Sequence, residues 1–156
     1  MSTELESPEA LVRIRVPLDS AGTGPPDDWL WAEPLGSGRF RIESCPFFAY
    51  GVSRDDVVVA APPPGDESPR LEDVIEKGGH RTLRAALDPA VDVAHPRVQD
   101  ALGRLLEMGC THETLRPKLV AVDLPTAVDV AGAVALLQAL SDEGLLLWEW
   151  ADPRPC

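Results

Sequence analysis

The chain has 156 residues (16.8 kDa), 44% of them hydrophobic and 26% charged, which places it in the ordinary globular range and excludes collagen-like, disordered and membrane-spanning classes. A chain of this length buries about 68–70% of its unfolded surface, enough for one core or two small ones without a disulfide or metal staple. Twenty-six acidic against fourteen basic side chains leave −12, spread as −8 over residues 1–93 and −4 over residues 94–156. Neither part carries the basic stripe that phosphate binding needs, so the expected partners exclude nucleic acid and an anionic membrane and include a basic protein surface.

Cys45, Cys110 and Cys156 are odd in number and lack C-x-x-C or zinc-finger spacing, which points to a reducing compartment with no disulfide framework and no metal. The first residues, MSTELESPEALVR, hold three glutamates and no apolar h-region, and no run of 18 apolar residues occurs. The expectation is a cytoplasmic protein without a signal peptide or a transmembrane helix.

Residues 1–9 read as a frayed polar end. Val12, Ile14 and Val16 then alternate with Leu11, Arg13 and Arg15, the period of a half-buried strand that Pro17 ends. A Gly/Pro loop over 19–28 leads to a strand at Trp29–Leu35, a turn at Gly36-Ser37-Gly38 and a strand at Arg39–Glu43, together a hairpin. Residues 44–51 gather aromatics beside a proline and a glycine, and 56–61 is a β-branched run closed by Pro62-Pro63-Pro64-Gly65. With Leu71–Glu76 added, residues 10–77 are predicted to form a small antiparallel sheet or partial barrel.

Lys77-Gly78-Gly79-His80 leads into a strand at Arg81–Leu87. From Pro96 to Met108, Val98, Leu102, Leu105 and Leu106 recur at helical spacing, with Pro96 suited to the first turn and Gly109 to the C-terminal cap. A strand at Thr111–Leu115, a turn at Arg116-Pro117 and an apolar run at Leu119–Val122 follow. A second helix starts after Pro125, with Thr126 and Asp129 at capping-box spacing and Val130, Val134 and Leu137 on one side. Gly144 ends it, and Leu145–Trp150 is a last strand before an extended tail with a thiol at Cys156. The fold class is α+β, with residues 78–152 in the ferredoxin-like βαββαβ order.

The segments PFFAYGVS (46–53), LWAEPLG (30–36), RFRIES (39–44), DVV (56–58) and GGHRTLR (78–84) resemble the bacterial family of domain of unknown function 4265. GC (109–110), LVAVDLP (119–125) and EGLLLWEWAD (143–152) fit the same layout, so the resemblance covers residues 10–152. It implies a bacterial cytoplasmic protein and brings no reaction, substrate or catalytic residue. Cys45 departs from the family pattern, in which an aliphatic residue stands there.

His80, which follows Gly78-Gly79, is approachable and of a residue type suited to acid/base chemistry, and with Glu33, Tyr50, Asp55 or Asp56 it would make an acid/base cluster. The alternative is a histidine that caps loop carbonyls between the two halves. Cys45 is a nucleophile only with a nearby base, and otherwise a buried thiol. Phe47, Phe48, Tyr50, Trp29 and Trp31 either line an apolar pocket or form the core of the β-rich part. Trp148 and Trp150 share a strand face that anchors a partner or packs on the helices. His95 and His112 lack a third ligand and fit capping or surface roles; no phosphate loop occurs, and no cofactor is implied.

The leading expectation is a non-enzymatic protein-binding module of accessory, regulatory or immunity type. The alternative is a small ligand-binding enzyme or hydrolase around His80 and the Phe47–Tyr50 aromatics. A homo-oligomeric component is a third reading.

Overall fold

The computed structural model describes residues 11–18, 25–62, 68–115 and 118–154. The expectations for the frayed start, the 19–24 part of the first loop, residues 63–65, the 116–117 turn and Cys156 lie outside the described residues.

Among the described residues, nine strands and two helices are arranged as a barrel and a helix-covered sheet. β1 (Val12–Pro17), β2 (Asp27–Gly36), β3 (Arg39–Ile42), β4 (Val57–Ala61) and β5 (Arg70–Glu76) run in chain order around a closed barrel. Successive strands pair antiparallel, and β1 and β5 close the ring in parallel at Arg15 and Arg70. The alternation in β1 and β2 turns Ile14, Val16, Leu30 and Ala32 inward, where they meet Ile42, Val58 and Ala60. Each fully buried aliphatic side chain of this kind contributes about 1.5–3 kcal/mol.

The same alternation corrects the reading of Trp29 and Trp31 as core or pocket residues. They point out of the barrel, 40% and 49% exposed, because an interior this narrow accepts Leu30 and Ala32 and not indole rings. The Arg13 guanidinium lies 4.4 Å from the Trp29 ring. The hairpin turn at Gly36-Ser37-Gly38 forms as expected, and β2 begins two residues earlier than its apolar pattern predicted.

β6 (Arg81–Leu87), β7 (Thr111–Leu115), β8 (Leu119–Leu124) and β9 (Leu146–Asp152) form a second sheet, in the order β7-β8-β6-β9 with all pairs antiparallel. α1 (Pro96–Glu107) and α2 (Val130–Asp142) cover one face. There Leu83, Val122, Leu124 and Leu146 pack on Val98, Leu102 and Leu105 of α1 and on Ala133, Leu137 and Leu140 of α2. Trp148 and Trp150 lie on this same face, half-buried, with ring centroids 6.4 Å apart. No helix among the described residues is long and apolar enough to cross a membrane.

Helix α1 begins at Pro96 with the His95 ring accepting the Arg97 N–H, the capping role expected of that histidine. Leu106 departs from its expected face and is 60% exposed. The cap of α2 is Asp129 and not Thr126, since Asp129 accepts the Gly132 N–H while Ala127 holds a left-handed φ of 74° that no helix continues through. Ala133, Leu137 and Leu140 form its buried face, with Val134 partly buried against the same core. The chain end also differs: Ala151 and Asp152, expected in the tail, belong to β9 and are buried.

Candidate functional site

The connection from β3 to β4, residues 43–56, lies between the barrel and the helix-free face of the second sheet. Asp28 gives it its shape. Its buried carboxylate accepts the backbone N–H groups of Phe47, Phe48 and Ala49 on one oxygen, at 2.9, 2.8 and 3.0 Å, and that of Trp29 on the other. Three converging N–H groups on one charged oxygen fix a turn that no regular element stabilises.

Registers place the side chains of the helix-free sheet face in three rows across the four strands. The first is Thr111, Asp123, Thr82 and Asp152; the second is Glu113, Ala121, Arg84 and Glu149; the third is Leu115, Leu119, Ala86 and Leu147. Residues 43–56 cover the first two rows with polar contacts. Ser53 Oγ shares a hydrogen bond with Thr82 Oγ1 at 2.7 Å and donates to Asp152 at 2.8 Å. The Cys45 N–H donates to Glu113, and Arg84 donates to the Ala49 carbonyl at 2.7 Å. The third row is left uncovered, and Leu147 is 74% exposed.

Between that row and the aromatic segment lies a cavity of about 320 Å³, walled by Phe47, Phe48, Tyr50, Leu119, Leu147 and Glu149. Arg84 forms its floor. It is buried, bonded to Glu149 at 3.0 Å, and stacked 4.5 Å from the centre of the Tyr50 ring. The Tyr50 hydroxyl donates to the Glu149 carboxylate at 2.8–2.9 Å. That bond, with partial burial and the carboxylate charge, holds the phenol above its ordinary pKa. The expected aromatic trio of Phe47, Phe48 and Tyr50 thus lines an open apolar cleft; Trp31 lies on the outer barrel wall, and Trp148 packs on the helix side of β9, where its indole N–H donates to Gln138 at 3.0 Å.

The proposed acid/base residues are bound to four different partners. Glu33 pairs with Arg41 at 3.0 Å on the outer barrel wall, and Tyr50 is held by Glu149. Asp56, fully buried, bonds Lys77 and accepts the N–H groups of Ser53 and Gly78 at 2.8 and 3.0 Å. His80 Nδ1 lies 2.9 and 3.0 Å from the two oxygens of Asp123. Burial raises the Asp123 carboxyl above its ordinary range against the opposing pull of the His80 bond. Asp55 lies beside Arg41 at 3.8 Å and carries a left-handed φ of 77°.

Lys77 bridges Asp56 and Asp152 at the centre of the junction between barrel and sheet. Burial pushes the Asp152 carboxyl up, but the hydrogen bonds from Lys77 and Ser53 and the Lys77 charge outweigh it and hold that group below its ordinary value. Gly78 passes so close to the Asp55 backbone that a Cβ would stand 2.2 Å from its carbonyl oxygen. The glycine pair is therefore a packing requirement of this junction.

Cys45 is buried, and desolvation together with the Glu113 charge pushes its thiol up, opposite to the shift that activates a cysteine nucleophile. Burial raises Cys110 to about 11. Among the described residues no group of three His, Cys, Asp or Glu is arranged to hold a metal ion. Sequence reasoning missed Asp28, Lys77, Arg84, Glu149 and Leu147. The available signals were an arginine inside the apolar strand TLRAAL, and a leucine at the outward phase of LLWEW.

A family model described as domain of unknown function (DUF4265) matches residues 28–148. No curated protein matches the chain. A solved structure titled as a novel crystal structure of a hypothetical protein from Neisseria gonorrhoeae superimposes with a TM-score of 0.76 at 17% identity, over 91% of this chain and 94% of that one. That likeness is one of fold.

Proposed function

The chain belongs to the domain of unknown function 4265 family, and from that premise, which carries no activity, we propose that it is a non-enzymatic protein-binding module of a bacterial cytoplasm. The observation that carries the reading is the apolar row Leu115, Leu119, Ala86 and Leu147, left open beside the cleft of Phe47, Phe48 and Tyr50. An exposed apolar stripe next to a concave aromatic wall, with Glu149 and Asp88 exposed beside it in a chain of net −12, fits the apolar centre and charged rim of a protein interface. The partner presents a basic surface, and the module acts as an accessory, regulatory or immunity-type protein. The strand order β9-β6-β8-β7, with both helices on one face, supports reading residues 78–152 as a ferredoxin-like unit beside a β-rich unit over 10–77.

The test is affinity capture of the tagged chain from its native cell lysate beside Leu147→Glu and His80→Ala, with quantitative mass spectrometry. A stoichiometric protein held by the wild type and by His80→Ala, and depleted by about tenfold or more on Leu147→Glu, is the expected result for loss of an interface anchor. A protein captured equally by all three, or none captured, refutes the reading. The enzyme reading keeps one supporting observation, the pairing of His80 with the buried Asp123 carboxyl. It predicts a small molecule that co-purifies with the wild type and is lost from folded His80→Ala.

A further inference from the structure

The cleft is the middle member of a chain of three cavities. At one end, a cavity of about 410 Å³ runs from Val16, Pro17, Leu18 and Pro25 to Phe48 and Tyr50. Those two aromatics also wall the central cavity of about 320 Å³, which ends at Ala86 and Leu147. The same Ala86 and Leu147 open a third cavity of about 300 Å³, bounded by Asp88, Pro89 and Leu146. The three make one track from the barrel to the far end of the sheet, with Tyr50 at the first junction and Leu147 at the second.

We propose that this track takes an extended, strand-like segment of another protein, with apolar side chains at alternate positions and a basic side chain opposite Glu149. The inference rests on the protein-binding reading and goes beyond it by fixing the form of the partner. Three observations commit it to this occupant. Successive apolar cavities that share lining residues offer places for the same-face side chains of an extended chain, which recur every second residue. β9 is an edge strand of its sheet, and the Gly51 N–H bonds the Ala151 carbonyl at 2.9 Å. No further backbone bond reaches that outer edge among the described residues, so an added strand can continue the pairing that Gly51 starts. The third observation is charge. Glu149 and Asp88 are exposed on the track, whereas Arg84 is buried and already bonded to Glu149 and the Ala49 carbonyl. The exposed charged residues that line the track are therefore acidic, which favours a basic residue on the segment and works against a second copy of this −12 chain.

The probe is a phage-displayed library of random linear dodecapeptides, selected on the full chain and counter-selected on Leu147→Glu. The expected outcome is a consensus with apolar residues at i, i+2 and i+4 and a Lys or Arg. The synthetic consensus peptide should bind the wild type and lose about tenfold or more on Leu147→Glu, and several-fold with a flatter salt dependence on Glu149→Gln. Ala86→Glu, in the same row, repeats the test should Leu147→Glu fail to fold. Bound peptide should slow amide exchange at residues 147–149. A helical i, i+3, i+4 consensus, an acidic consensus, or peptides indifferent to both row substitutions overturn the proposal. Capture of a cellular protein that depends on Leu147, with no linear peptide selected, leaves the protein-binding reading standing and refutes the extended segment. Indifference of both capture and selection to Leu147 refutes the two together.

Discussion

Replacing Asp28 by alanine tests the construction of the cleft most directly. The substitution removes one carboxylate and leaves the N–H groups of Phe47, Phe48 and Ala49, now at 2.8–3.0 Å from it, without their acceptor. A hydrogen bond to a charged group contributes about 1.5–3 kcal/mol. The three share one oxygen and one turn, so their losses are not additive, and part of the turn can relax toward water. The expected destabilisation is about 3–5 kcal/mol in total, or roughly 10 °C in Tm for a chain of this size. Asp27→Ala is the matched control, since the neighbouring carboxylate makes one partly exposed pair with Arg15 at 3.1 Å and should cost less than about 1 kcal/mol. Asp28→Asn keeps an acceptor oxygen but not the charge, and should fall between the two. Urea unfolding followed by tryptophan fluorescence and far-UV circular dichroism gives the three free energies, with coincident transitions confirming two-state behaviour. An Asp28→Ala value within about 1 kcal/mol of Asp27→Ala would refute the argument that this carboxylate organises the aromatic segment.

Gly78→Ala places a Cβ 2.2 Å from the Asp55 carbonyl oxygen and should cost about 3 kcal/mol, whereas Gly36→Ala meets no atom within 4 Å and should cost about 1 kcal/mol for its positive φ; thermal melts compare them. Asp152, whose folded pKa lies below its ordinary 3.8, contributes stability that is full above that value and lost as pH falls through the lower folded pKa; urea midpoints below pH 4 should drop more steeply for the wild type than for Asp152→Asn. Asp123 works in the opposite sense, because its raised folded pKa costs stability as pH climbs above 3.8. The stability of Asp123→Asn relative to the wild type should therefore increase upward from pH 4, and a flat difference would count against the assignment. Iodoacetamide mapping by mass spectrometry should find Cys45 and Cys110, 2% and 0% exposed, protected in the native chain and labelled in urea.

Period and punctuation alone made most of the elements legible. The alternation of Val12, Ile14 and Val16, the Gly36-Ser37-Gly38 turn, and the helix bounded by Pro96 and Gly109 are local effects, decided by backbone sterics and by which side of a short segment is apolar. The order of elements in the second half is legible for the same reason. Family membership was also readable, because the segments around Phe47–Tyr50 and Gly78–His80 that carry the resemblance are short local stretches, and they lie within the matched residues 28–148. Tertiary structure decided which of these residues work together. His80, Glu33, Asp56 and Tyr50 suit one acid/base cluster by residue type, yet each is held by a different partner brought in from elsewhere in the chain. Trp29 and Trp31 look like core residues until closure of a narrow barrel turns them outward. Leu147 is one leucine among many in the sequence, and it is an exposed apolar side chain only because residues 43–56 cover two rows of the sheet and stop short of the third. Side-chain periodicity is written within a few residues. Coverage of a sheet face depends on pairings between β6, β8, β9 and a distant connection, which no local pattern encodes.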